Sequence, residues 1–254
     1  MAKIIAVANQ KGGVGKTTTA VNLCASVSDL GKKTLLTDCD PQGNAGSGMG
    51  IDKNRRPNLF DVLVSGEEIR NCIVKTRHGD VIPAGRDLAA AGLELTQREK
   101  REFVLKDALL KLYMDYDYIF LDCPPSLELL TVNALTCADS VIIPMQCEYY
   151  ALEGITDLVN SIKMCNKYLN KRLEVEGIVL TMFDPRMNLT NQVANEIKNY
   201  FGDKVYKTVI PRSVRLSEAP SHGEPGVIYD RIGKGSRAYR ALAKEVVKRC
   251  EGAK

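Results

Sequence analysis

Short apolar runs alternate with longer amphipathic stretches along most of the chain. Ile4-Ile5-Ala6-Val7-Ala8 predicts a buried strand and residues 17–30 a helix. Residues 33–38 predict a second strand and 118–122 another, and each of these two ends in an acid, Asp38 or Asp122. Phe103, Val104, Ala108, Leu109 and Leu112 recur at helical spacing and predict one core-facing helix over 99–112. A helix through Thr136 follows Ser126. After it come a strand at 140–144, a helix at 152–169, a strand at 177–181, a helix at 189–201, a short strand at Val209-Ile210 and a last helix at 236–250. Residues 51–101 are less legible and predict only a short helix at 58–64 and a strand at 81–83. Alternation of this kind, without a linker or an internal repeat, predicts an α/β fold. It implies a mostly parallel twisted sheet covered by helices on both faces, with 1–254 as a single domain.

Composition changes this picture little. With 254 residues, 44% of them hydrophobic, the chain has ample material for one α/β core. Thirty-five Lys and Arg against 31 Asp and Glu leave +4, which neither supports nor excludes nucleic acid; local clustering of charge would have to decide. The eight cysteines, at 24, 39, 72, 123, 137, 147, 165 and 250, form no C-x-x-C and sit mostly in apolar stretches, so they read as reduced small hydrophobes. Residues 1–8 lack the hydrophobic region of a signal peptide and no apolar run approaches 18 residues, which predicts a cytoplasmic protein.

Candidate chemistry gathers at the predicted strand ends. Gln10-Lys11-Gly12-Gly13-Val14-Gly15-Lys16-Thr17-Thr18 lies between the first strand and the first helix. Glycines there let backbone N–H groups close around an anion and the helix start adds its positive dipole end; Lys16 meets β- and γ-phosphates, and the Thr17 hydroxyl ligates Mg²⁺. Gly12, Gly13, Val14, Gly15 and Thr18 complete this nucleotide-binding loop, and the fold it predicts is that of a P-loop NTPase. The common pattern G-x-x-x-x-G-K-[ST] wants a glycine at position 10 and finds Gln10, with a second lysine, Lys11, beside it. On position alone, Lys11 reads as a solvated loop lysine. Asp38 and Asp40 either cap turns beside Pro41 and Gly43, or face one ligand at the carboxyl end of a strand. Asp122, before Cys123-Pro124-Pro125-Ser126, reads either as a turn residue or as the Walker B carboxylate in the Mg²⁺ shell.

Several segments together resemble the Soj-type chromosomal ParA proteins, within the deviant Walker A (ParA/MinD) ATPases. These are residues 10–18, Asp38-Cys39-Asp40-Pro41-Gln42-Gly43-Asn44, Asp122-Cys123-Pro124-Pro125-Ser126, residues 144–154 from Pro144-Met145-Gln146-Cys147-Glu148 through Tyr149-Tyr150-Ala151-Leu152-Glu153-Gly154, and residues 210–223. The likeness covers essentially the whole length. It implies an ATP- and Mg²⁺-dependent ATPase that forms a homodimer with ATP, binds non-specific DNA and releases it when a ParB-like protein stimulates hydrolysis, becoming nucleoid-associated while ATP-bound. It also implies that Lys11 reaches the nucleotide of the other subunit, that Lys16 contacts phosphates, and that Asp40 helps to place the attacking water. Thr17, Asp38 and Asp122 would serve the metal, while residues 210–216, including Pro211 and Arg212, would lie near the base. Arg186 and Arg215 match DNA-binding positions, and Arg212, Lys234, Arg237, Arg240, Lys244 and Lys248 are candidates to enlarge that surface. Gln10 departs from the MinD version of the loop and fits the Soj version. The rival readings are a MinD-like membrane-associated positioning ATPase, a ParA-like positioner of protein clusters and an iron–sulfur electron donor. A MinD-like anchor asks for exposed bulky residues on a final amphipathic helix, whereas Ala238, Leu242, Val246 and Val247 read as core packing, so no stable membrane anchor is expected.

Overall fold

The computed structural model describes residues 1–148 and 151–252, with the side chains of 151–153 left aside; Tyr149 and Tyr150 of the 144–154 segment lie outside the described residues. Among the described residues, six strands form one sheet in which every pair runs parallel: β1 (Lys3–Val7), β2 (Thr34–Asp38), β3 (Asp80–Ile82), β4 (Tyr118–Asp122), β5 (Ser140–Gln146) and β6 (Glu174–Thr181). Their spatial order is β3-β2-β4-β1-β5-β6. The central strands are apolar on both faces because both faces are covered. Ile4, Ala6, Leu35, Ile119, Leu121, Val141 and Ile143 point into one core, and Ile5, Val7, Leu36, Phe120 and Ile142 into the other.

The second core is roofed by α1 (Lys16–Asp29) and the long final helix (Lys234–Gly252), through Leu23, Val27, Tyr239, Leu242 and Val246. The first is roofed by α2 (Val104–Leu110), α3 (Leu129–Cys137), α4 (Ala151–Tyr168) and α5 (Asn188–Phe201); counted in order, the final helix is α6. Ile155, Leu158, Ile162 and Cys165 on α4, and Thr190, Val193, Ala194 and Ile197 on α5, form the buried stripes that a 3.6-residue period produces. Seven cysteines are buried and Cys250 is half-buried.

Three expectations change. The helix expected over 99–112 is broken: Lys100 takes a left-handed backbone (φ 54°), Arg101–Phe103 form a 3₁₀ turn, and α2 runs only from Val104 to Leu110. Asn133 on α3 explains the break, because its amide donates to the Arg101 carbonyl at 2.9 Å while its oxygen accepts the Leu105 N–H at 3.1 Å. The strand expected at Val209-Ile210 does not form. Ile210 bonds to Leu180 and Phe183, but Pro211 has no N–H with which to extend a ladder. β6 starts three residues earlier than expected, since Glu174 and Glu176 hide its beginning among polar residues while pairing with Lys204 and Lys3.

At Gly177 the sheet meets Tyr206. A Cβ there would stand 2.6 Å from the tyrosine ring and 2.9 Å from the Lys204 carbonyl oxygen. Gly177→Ala is expected to destabilise the fold by about 1–3 kcal/mol, the usual cost of overpacking. Urea unfolding measures it, and an unchanged midpoint would contradict this reading of the contact.

Candidate nucleotide site

The carboxyl ends of β1, β2 and β4 meet at the sheet's centre, where the chain leaves β1 toward β2 on one side and β4 toward β5 on the other. Crevices of this kind bind ligands in open α/β sheets. From β1 the chain turns through Gly13 and Gly15, whose φ values of 74° and 89° are ones that L side chains rarely adopt. Nothing lies within 4 Å of a Cβ added to Gly12 or Gly13, so the outer side of the loop faces open space. Gly15 is the N-cap of α1, with no side-chain cap and no acid in the first turn. The first amides of α1 are therefore free for an anion, and the helix dipole favours one.

The rear of the loop is held by residues the sequence reading did not single out. The Gln146 amide donates to the Gly13 carbonyl at 3.0 Å and the Thr181 hydroxyl to the Val14 carbonyl at 2.8 Å. Asn9 donates to the Pro144 carbonyl at 2.8 Å and accepts the Lys11 N–H at 3.0 Å. Gln146 and Thr181 are register neighbours on β5 and β6. The available signal was a polar residue ending each of two buried apolar strands.

Lys16 is buried and folds back over the loop, its ammonium donating to the Lys11 carbonyl at 2.9 Å. Burial lowers its pKa, and Asp122 and Asp40 oppose that shift. Lys11 is exposed on the loop's outer side and its ammonium pairs with Glu148 of the same chain.

Asp38 and Asp122 are register partners on β2 and β4, fully buried, and on the same face as Leu36 and Phe120. Their settings differ. Asp38 accepts the Asp40 N–H at 3.1 Å and the Gly46 N–H at 2.9 Å, so it braces the turn that carries Asp40. Both oxygens of Asp122 are buried without a hydrogen-bond partner. Burial raises the pKa of each carboxyl; repulsion from Asp38 adds to it at Asp122, while the neighbouring Thr17 hydroxyl, too far to satisfy either oxygen, and the Lys16 charge pull the other way. A buried, unpartnered carboxylate is costly unless a cation or its water shell takes it up. Mg²⁺ is commonly held by one or two carboxylates together with waters and phosphate oxygens, so Asp122 beside Thr17 fits that ion without a protein cage. Asp40 is half-buried, and its Oδ1 accepts the Gln42 N–H at 2.9 Å.

Another cleft, of about 720 Å³, opens at the amino ends of β2 and β3, away from this loop. Its lining includes Arg70, paired with Asp115, and Lys75, paired with Asp80, together with Lys32 and Lys33.

Arg186 follows β6 and Arg215 sits on the short helix Val214–Glu218. The two segments meet where Phe183 pairs with Pro211 and the Arg212 N–H reaches the Phe183 carbonyl at 3.4 Å. Phe183 is two residues beyond Thr181, so Pro211 and Arg212 stand beside the strand end that grips the phosphate loop. The proposed basic extensions separate. Gly235 packs on Leu216 and Ser213, which keeps Lys234 and Arg237 near Arg215. Arg240 is half-buried and donates to the Arg231 and Val227 carbonyls, so its guanidinium serves the fold. Lys244 and Lys248 lie beside Leu30 and Lys32, toward the far end of α6.

A parallel sheet whose first strand feeds a glycine loop, an uncapped helix and a buried lysine, with an unpartnered acid ending a neighbouring strand, defines a P-loop nucleoside triphosphatase. Residues 2–175 match a family model described as an AAA domain. Sporulation initiation inhibitor protein Soj of Bacillus subtilis is 56% identical over 249 residues, covering 97% of this chain and 98% of that protein. Chromosome-partitioning ATPase Soj of Treponema pallidum is 47% identical, covering 98% of each. A solved structure described as cobyrinic acid a,c-diamide synthase from Mycobacterium smegmatis, with bound ATP analog and magnesium, aligns at a TM-score of 0.88. It is 34% identical over 100% of this chain and 98% of that one. The chain belongs to the Soj/ParA family of ATPases, with ATP and Mg²⁺ as cofactors. Among the described residues, no helix is long and apolar enough to cross a membrane.

Proposed function

We propose that the chain, 1–254 as one domain, partitions chromosomes or plasmids: with ATP it forms a homodimer, binds DNA without sequence preference, and is released when a ParB-like protein stimulates hydrolysis. Its place is the cytoplasm, and the nucleoid while ATP is bound. The observation that carries this reading is the convergence of the uncapped α1, buried Lys16 and unpartnered Asp122 at one strand-end crevice. It is supported by the names of the relatives, which include chromosome-partitioning proteins.

In this reading the amides of residues 12–18 and the Lys16 ammonium receive the phosphates. Thr17 and Asp122 hold the magnesium shell, with Asp38 behind them. ATP supplies the phosphoryl group and Mg²⁺ neutralises its charge; the chain orients both. Asp40, its carboxylate held by the Gln42 N–H, accepts a hydrogen bond from the attacking water. Pro211 and Arg212 border the base. Lys11 crosses to the partner's nucleotide. Its pairing with Glu148 does not oppose this, since an exposed ion pair is worth about 0–1 kcal/mol and a triphosphate offers a stronger charge. Arg186 and Arg215 are exposed and so can meet DNA phosphates, and dimerisation doubles their number.

Gel shifts with ATP, ADP and no nucleotide test the coupling, and equal DNA binding in all three states would sink it. Arg186→Glu with Arg215→Glu is expected to weaken DNA binding by at least about 100-fold at moderate salt, as loss and reversal of several phosphate contacts should. ATP-dependent dimerisation should survive in that variant. Intact DNA affinity would remove these two arginines from the interface.

A further inference from the structure

Both arginines assigned to DNA are already engaged by acids of the same chain. Asp184 takes Arg186 in a two-pronged contact, Oδ1 accepting Nε at 2.9 Å and Oδ2 accepting Nη2 at 2.7 Å. The same Oδ1 accepts the Arg186 backbone N–H at 3.1 Å. Glu218 Oε2 accepts Arg215 Nη1 at 3.0 Å. The guanidinium groups remain open to solvent, with side-chain exposures of 86% and 62%. Asp184 also feels the charge of Arg212, so one carboxylate stands between two cations of the candidate surface.

A fork of two N–H donors on one planar oxyanion is also the geometry by which arginine takes a phosphate. We propose that Asp184 and Glu218 are built-in competitors of the DNA phosphate, Asp184 holding the two-donor fork of Arg186 and Glu218 one donor of Arg215, and so limiting the affinity of each protomer for DNA. This inference rests on the DNA reading above and names the residues that tune it. Binding exchanges a carboxylate for a phosphate at each arginine, which gains little locally, and the displaced carboxylate still repels the backbone. The energies of exposed pairs suggest about a 1.8-fold loss of affinity for each acid. With four such acids in a dimer, the combined effect is roughly tenfold. Single protomers would then hold DNA poorly, and useful affinity would need the doubled contact set of the dimer.

The test neutralises the acids and keeps their shape. Asn at 184 still offers an oxygen to the Arg186 N–H, so Asp184→Asn with Glu218→Gln preserves the turn, and an unchanged melting temperature checks this. The readout is fluorescence anisotropy of a random-sequence DNA duplex with ATP and Mg²⁺. At about 100 mM salt the double variant is expected to bind roughly tenfold more tightly than the wild type. At about 500 mM salt screening should reduce the gain to less than about twofold. Asp184→Glu with Glu218→Asp, which keeps the charge, should stay within about twofold of wild type. If the wild type binds DNA with ATP and the neutralised variant binds no more tightly at low salt, the competition is refuted and the DNA reading stands. A gain that persists undiminished at high salt also refutes it, because the effect would not be electrostatic. A wild type that fails to bind DNA with ATP removes the DNA reading, and this inference with it.

Discussion

Lys16→Ala lowers affinity for ATP with Mg²⁺ by about 100-fold or more, corresponding to about 2.7 kcal/mol. The size follows from the setting. Lys16 is buried, its ammonium is held against the Lys11 carbonyl at 2.9 Å, and Asp122 and Asp40 oppose the fall in pKa that burial causes. A charge so oriented loses little entropy when a phosphate arrives, and truncating one partner of such a contact costs about 2–5 kcal/mol. Calorimetric titration of an ATP analogue measures it. Affinity within about threefold of wild type, in a folded variant, would move the phosphate contact elsewhere on the loop.

The second large effect is at Asp40. Asp40→Ala is expected to reduce ATP turnover by at least about 100-fold, within the range of a positioned general base, while ATP still binds. ATP-bound dimers should accumulate in consequence. The geometry places Asp40 one turn beyond the buried acid: its N–H is held by Asp38, and its own Oδ1 is fixed by the Gln42 N–H. Asp38 therefore acts on Asp40 through the backbone. Phosphate release and light scattering with ATP and Mg²⁺ separate the two outcomes. Wild-type turnover would exclude Asp40 from water activation, and loss of ATP binding would assign it to the nucleotide pocket.

Much of the fold was legible because its signals are local. β4 was expected and found at Tyr118–Asp122, and α1, β2 and α5 were misplaced by only a residue or so at either end. β4 is a continuous apolar run and α5 a clean helical stripe. The segment 51–101 resisted because its pieces are single turns, such as Asp61–Ser65, Ile69–Cys72 and Arg86–Ala90, too short to show a period. They nevertheless bury Leu59, Leu63, Ile69, Cys72 and Leu88 in the first core. The broken helix at 99–112 depended on Asn133, some thirty positions away in sequence, which no local pattern can announce.

At the site, spacing marked the phosphate loop with Lys16 and placed Asp38 and Asp122 at strand ends as candidates, because glycine conformation and strand alternation are written residue by residue, whereas Lys11 took its role from the family resemblance. Whether those acids are alike was a tertiary matter. In sequence Asp38 and Asp122 are equivalent strand-end carboxylates; in the fold a turn supplies two N–H groups to Asp38 and nothing to Asp122, which makes Asp122 the one that calls for a cation. Packing also brought Gln146 and Thr181 behind the loop, gave Lys11 to Glu148, and set Asp184 and Glu218 against the two arginines. The sequence marked the candidate groups, and the tertiary structure decided which of them have partners, since hydrogen bonding and burial depend on residues brought together from distant parts of the chain.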